Sequence, residues 1–335
     1  MKLLNWIDKT KLNWDTLCKN PNAVELIKEE LKLLKVKRTR KQQKQFKSKI
    51  NWKSLCLNTN PEVIELLKDY PEYINYSSLS LNPNAIWLLR ENITKINWYK
   101  FSMNPNAGEI LNEYLIDDFT NVEDDTTYSD EHKEIYKNII YNIRWDLLSE
   151  YLKDVSILVA NPDKIHWDRA SSNPNAIDLL ETNKDKINYR WASENPNAIH
   201  LLVDNLDKAD FYKLSSNPNA IYILQNNKDK LDMWELSQNI NAIALLEDHI
   251  PKIIMDGNPN WINWNTLSLN SNATKLLEKY IDQIENFYFI SQNPNAIDLL
   301  KINYTKINWT GFSQNPAIFT ENEKNNSILD NCCIM

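Results

Sequence analysis

A chain of 335 residues with 42% hydrophobic and 25% charged side chains is long enough to bury a large core without metals or disulfides. Its composition excludes wholesale disorder, a collagen-like chain and a multi-span membrane protein. With only 3 Gly it carries no glycine-rich phosphate loop of the Rossmann or P-loop kind, and a formal net charge of -7 argues against general nucleic-acid binding.

The unusual abundances are 12 Trp and asparagine at roughly one residue in seven. Much of that asparagine is periodic. The tetrad Asn-Pro-Asn-Ala returns at Asn82, Asn104, Asn173, Asn195, Asn217 and Asn293, and the step from Asn173 to Asn195 to Asn217 is 22 residues. Numbering from this anchor, an aromatic residue or Met stands at -6, Leu or Phe in most copies at -3, and a small residue at -2. Ala follows at +3, Ile at +4 and Leu at +6 and +7, as in Ala176, Ile177, Leu179 and Leu180. Those offsets are helical rather than alternating. They predict one helix of eight or nine residues starting at the Asn-Pro pair, with Asn173 as its cap and Pro174 as its first residue. Asn188 is then placed to cap a shorter helix through Tyr189, Ala192 and Ser193. Helices this short are unstable alone, so units must lend one another stability. The expectation is an all-α protein, an α-solenoid of about twelve 22-residue two-helix repeats, stacked as an elongated rod around a ladder of indoles and aliphatics. A leucine-rich repeat is excluded because its strand signature fails.

Along the chain, Met1 to Lys11 leaves no room for the apolar core of a secretion signal, so a non-secreted protein is expected. One repeat domain is expected over 1–320. After the first unit, anchored at Asn20, lies a basic insertion near 35–49 with Lys35, Lys37, Arg38, Arg40, Lys41, Lys44, Lys47 and Lys49. It reads either as a patch for RNA, acidic lipid or nuclear import, or as a solvated extension; its single aromatic residue, Phe46, favours the solvated reading. The next unit anchors at Asn58 or at Asn60. An irregular acidic stretch occupies 112–144, with Asp117, Asp118, Glu123, Asp124 and Asp125. Trp145, Leu148 and Ser149 then restore the columns with Tyr151 at the anchor. Nine extra residues around Met255 to Ile262 precede Trp264, and the last unit ends near Phe319. The tail, 321–335, is polar and expected to be flexible. It ends in Cys332-Cys333-Ile334-Met335, a loose form of the prenylation motif in which Cys332 would carry a farnesyl group.

No active site is legible. His132, His166, His200 and His249 share no metal-ligand spacing, and Cys18 and Cys56 sit in the small-residue column where other units carry Ser, so they read as packing atoms. No cofactor or metal is expected. Partner contacts should lie in a column that varies between units, and +5 is such a column, with Trp87, His200 and Tyr222 as candidates. The same side chains could instead cover a neighbouring unit.

The string Ile-Asn-Trp-x-x-Leu-Ser-x-Asn-Pro-Asn-Ala-Ile-x-Leu-Leu, nearly complete at Ile96 to Leu111 and Ile165 to Leu180, resembles the 22-residue Asn-Pro-Asn-Ala repeat proteins of giant DNA viruses of the mimivirus group. The resemblance covers about Leu12 to Phe319. Gly108 departs from it, as does 112–144. It implies expression in the cytoplasm of a eukaryotic host and assigns no catalytic residue or common partner. The function expected is a non-catalytic scaffold for protein–protein interaction with a host or viral partner. The alternative is a structural component of the virion or virus factory, attached to a membrane surface through Cys332. Nucleic acid is expected only through Lys37, Arg38, Arg40, Lys41 and Lys44.

Overall fold

The computed structural model describes residues 1–34, 36, 48–115 and 129–320. Among these the chain is all-α in character, with many short helices and a single pair of two-residue strands. The basic residues Lys37, Arg38, Arg40, Lys41 and Lys44, the acidic positions 117–125, and Cys332 with the rest of the tail lie outside the described residues.

One unit serves for most. The side chain of Asn188 accepts the N–H of Trp191 and starts the helix Tyr189–Ala192, the shorter helix that the sequence predicts. The second helix differs from expectation. It runs over Ile199–Val203 and begins four residues after the anchor Asn195 rather than at the Asn-Pro pair. Asn195 Oδ1 accepts the N–H of Asn197 at 3.0 Å, which closes a tight turn instead of capping a helix. In the unit where the sequence left Asn58 or Asn60 open, Asn58 is the anchor, donating to Cys18 O and Asn20 O, and the helix Pro61–Leu67 starts three residues after it. The reason for the delay is that the anchor side chain is shared with the unit before it.

Asn195 Nδ2 donates to Ser171 O at 3.0 Å and to Asn173 O at 2.9 Å. Asn197 Nδ2 donates to Pro174 O at 2.8 Å. The N–H of Asn188 donates to Ser171 Oγ at 3.0 Å, while that hydroxyl donates to Trp167 O. The -2 serine and the anchor are thus complementary, one offering an oxygen and the other an amide to adjoining units. The set recurs at Asn104, Asn217 and Asn239. These groups are buried, so each satisfied bond contributes about 1 kcal/mol net, and an orphaned partner costs more than that.

The buried apolar side chains form one continuous cluster from Ile7 to Phe319. Its centre is aliphatic: Leu17, Leu55, Leu79 and Leu214 at -3, and Ala176, Ala198 and Ala220 at +3, are fully buried. The expected indole ladder is corrected here. Trp98 is buried, but Trp14, Trp52, Trp145, Trp167, Trp264 and Trp309 are only partly covered and pack on the rim of the cluster. Other rings of the same -6 column meet lysines: Lys95 Nζ lies 4.8 Å from the Tyr76 ring centre, Lys208 Nζ 4.8 Å from Tyr189, and Lys230 Nζ 4.6 Å from Phe211.

Where the repeat lapses, backbone groups take over. The helix Trp145–Tyr151 runs through the expected anchor position, Tyr151, so Asn173 Nδ2 finds Leu152 O in place of an anchor carbonyl. Tyr151 is exposed and Leu152 is buried. The Lys153 N–H donates to Pro105 O, doing the work of the missing second Asn.

The first and last described units meet, contrary to the rod expectation. Strand β1 (Lys2–Leu3) pairs antiparallel with β2 (Phe319–Thr320), with Lys2 opposite Thr320. Asn20 Nδ2 donates to Ser313 O at 3.0 Å and Asn315 O at 2.9 Å, and Asn22 Nδ2 to Pro316 O at 2.9 Å. This is the bond set that links Asn195 and Asn197 to the unit before them. The last unit has a first helix, Trp309–Phe312, but after Pro316–Ile318 it turns into β2, and no second helix follows among the described residues. Residues from the chain start complete it. Trp6 packs against Phe312 and Tyr304, the Lys9–Lys11 turn stands where other units have Lys184–Lys186, and Lys11 Nζ lies 5.3 Å from the Trp309 ring centre. No helix among the described residues is long and apolar enough to cross a membrane.

Candidate partner-binding surface

The three residues expected at +5 do not form one site. Trp87, in the helix Ile86–Arg90, is half-buried against the core, and Lys68 Nζ from the preceding unit lies 3.9 Å from its ring centre. His200 is exposed, with Nε2 2.8 Å from Glu181 Oε1, again of the preceding unit. Both side chains therefore reach across to a neighbour. Tyr222 alone projects, at 79% exposure. The apolar residues at -1 divide similarly, with Leu269 exposed and Leu57, Leu81 and Met103 half-buried.

A different column carries the larger aromatic display. At -5, the first turn of the first helix, Tyr99, Tyr212 and Trp234 are each about half exposed, at 49%, 53% and 49%. The short first helices put this position outside the core because the -6 aromatic and the -3 residue already occupy the two inward directions. The column was legible in the repeat alignment, since -5 varies from Asp to Arg to Tyr to Trp.

Charged side chains stitch this face across successive units. Arg169 pairs with Glu150, Lys213 with Glu194, and Arg190 Nε with Asp210 Oδ2 at 2.9 Å. Arg169 and Lys213 flank the Trp191 ring from the units on either side, at 5.3 Å and 4.0 Å from its centre. Arg144 lies 5.7 Å from the Tyr99 ring centre and makes a two-toothed pair with Asp146. Burial alone would raise the Asp146 carboxyl, but the Arg144 hydrogen bonds and charge outweigh it and hold the group below the usual carboxylate range. Exposed pairs of this kind contribute little stability, so their effect is to fix the orientation of the aromatic rings.

Next to Trp234 the surface opens into a cleft of about 400 Å³. Its walls include Trp234, Pro259, Asn263, Asn265, Asp282 and Glu285. The nine-residue insertion creates it. The helix Ile243–Met255 is stopped by a reverse turn in which Gly257, at φ 75, donates to Ile254 O and Asn258 donates to Ile253 O. The chain then runs through Pro259–Trp261 back to Asn263, with Trp264 Nε1 donating to Pro259 O. This detour spreads two units apart: Asn270 Nδ2 keeps one bond, to Asn239 O, where other anchors have two.

Cys18 and Cys56 are buried, as packing atoms should be. Burial pushes both thiols up to about 11, partly offset by the N–H groups of Asn51 and Asn75. Among the described residues no group of three His, Cys, Asp or Glu side chains is placed to hold a metal ion.

Comparison with known proteins gives no relative. The chain matches no family model, no curated protein and no solved structure.

Proposed function

We propose that this protein is a non-catalytic repeat scaffold, an α-solenoid whose last unit meets its first, that binds a protein partner through the exposed face of its first helices. The observation that carries the reading is the -5 column, where Tyr99, Tyr212 and Trp234 stand half exposed on a face whose units are joined by ion pairs. Aromatic side chains held rigidly by their neighbours supply contact area at little entropic cost, which is the usual make-up of an interface hot spot. Tyr222 on the second helices offers a lesser contact. The viral origin and the host-cytoplasm setting rest on the repeat string quoted above, and a host or viral protein is the partner class it suggests.

The test is quantitative affinity purification of the full chain from infected or transfected eukaryotic cells. A stoichiometric protein lost from a Tyr212→Ala, Trp234→Ala double variant, but retained by Tyr222→Ala, is the expected result. Equal recovery with both variants would remove the -5 face from the proposal. A second reading, a virion or virus-factory component attached through Cys332, is favoured by the terminal Cys-Cys-Ile-Met sequence. Mass measurement of the C-terminal peptide decides it, since an intact Met335 ends that idea.

A further inference from the structure

The cleft beside Trp234 brings an aromatic ring together with acids that have no cation among the described residues. On the rest of the -5 face Glu150 has Arg169, Glu194 has Lys213 and Asp210 has Arg190, while Asp15 and Asp168 are held by the amides of Asn51 and Asn188. Asp282 and Glu285 line the cleft, and no Lys, Arg or His shares its walls. Both carboxylates are exposed, and neither forms an ion pair among the described residues. Trp234, half exposed, and the amide of Asn265 share the cleft walls with them, while the Asn263 side-chain oxygen is taken by the Thr266 N–H.

We propose that this cleft receives a single cationic side chain, arginine by preference, from the protein partner. An aromatic face, two carboxylates and the Asn265 amide oxygen are the complementary groups for a guanidinium, which stacks on rings and donates in its plane to several acceptors at once. The arrangement already used inside this molecule is the same one. Arg169 lies against the Trp191 ring while pairing with Glu150, and Arg144 lies against Tyr99 while pairing with Asp146. At the cleft the ring and the acids are present and the cation is the part a partner would bring. The width of the cleft comes from the inserted segment behind Gly257, which holds Pro259 and Asn263 apart from the adjoining unit. The proposal relies on the scaffold reading only for the source of the arginine, since the recognition chemistry belongs to the cleft itself.

The experiment titrates the full chain with N-acetyl-arginine amide and, separately, with N-acetyl-citrulline amide, which keeps the shape and loses the charge. The readout is the indole N–H resonance of Trp234, assigned by its loss in Trp234→Phe. The arginine compound is expected to shift that resonance and to bind about tenfold more tightly than the citrulline compound, the sum of one exposed cation–aromatic contact and two exposed charge pairs. An Asp282→Asn, Glu285→Gln double variant, whose sites are exposed, should fold normally by circular dichroism and lose that preference. Equal binding of the two compounds, or no shift of the Trp234 indole, overturns the proposal. Retention of a captured partner by the double variant would also overturn it while leaving the scaffold reading intact, whereas loss of capture in Trp234→Ala alone bears on the scaffold face.

Discussion

The backbone N–H of Asn13 donates to Ser313 Oγ at 2.8 Å, although 300 residues separate them in sequence. Between adjoining units the same bond joins Asn188 to Ser171 and Asp232 to Ser215, in both cases 17 residues apart. The chain start therefore occupies the place that a following unit would take. If so, Asn20 and Asn217 are energetically equivalent. Replacing either with Ala removes both bonds to buried carbonyls, one of which (Asn315 O or Asn195 O) keeps the N–H of Ile318 or Ala198, and orphans the N–H of Asn22 or Asn219. Each variant should lose about 2 to 4 kcal/mol in urea denaturation. A negligible loss for Asn20→Ala beside a large one for Asn217→Ala would show that the two ends do not meet in solution. Hydrogen exchange gives an independent check, because the Leu4 N–H, bonded to Ile318 O, should be protected.

The buried thiols make stability fall at alkaline pH. Below roughly pH 8.5 the thiols are protonated in both folded and unfolded chains, and no stability is lost. As pH rises toward about 11, the unfolded chain releases protons that Cys18 and Cys56 still hold in the fold, so unfolding is favoured by about 2 to 3 kcal/mol per thiol. Serine fits the same column elsewhere, with Ser193 Oγ accepting the Asp210 N–H. The Cys18→Ser, Cys56→Ser variant should therefore fold and show a flatter melting temperature between pH 8.5 and 11. An identical pH slope in the variant would assign the alkaline loss to other groups.

Gly311 lets two first helices press together. A Cβ there would lie 2.2 Å from Tyr288 O, a backbone atom that cannot step aside without moving its helix. Gly311→Ala should cost about 1 to 3 kcal/mol by overpacking, measured as a lower denaturation midpoint. Gly108→Ala meets nothing closer than 3.4 Å and is the matched control.

At Gly257 the penalty is conformational instead. Its φ of 75 lies where L side chains are strained, and nothing crowds the Cβ position. Gly257→Ala should lose about 1 kcal/mol. It should also weaken arginine binding at the cleft, because the turn aims the Pro259 segment. Unchanged binding would show that the cleft tolerates a shift of that segment.

Much of this architecture was legible in the residues. The -6 aromatic, the -3 leucine, the -2 serine and the Asn-Pro anchor located the units, and Asn188 marked the start of a first helix. Their partners were not legible. A cap and an inter-unit donor are the same residue type, and only geometry shows that Asn195 turns its amide toward Ser171 and Asn173. The delayed second helix follows from that commitment. The meeting of the ends was hidden for another reason: residues 2–12 contain no Asn-Pro anchor, and Leu4, Trp6 and Ile7 do by packing what a helix does elsewhere. Trp87 and Tyr222 share a column and a chemical class, yet one is covered by Lys68 and the other is bare. The deciding residue in each case belongs to an adjoining unit whose contact with the column no pattern within one unit reveals.

In a linear array of stacked modules, the outermost one peels away after a single seam gives, and unravelling spreads inward from there. Here the strand pair at Leu3 and Phe319 and the amide of Asn20 remove that loose end. To detach any one module, the seams on both its sides must rupture together. Cutting the polypeptide at a surface turn between two modules, with the original ends tethered, should then yield a permuted chain of nearly unchanged cooperativity.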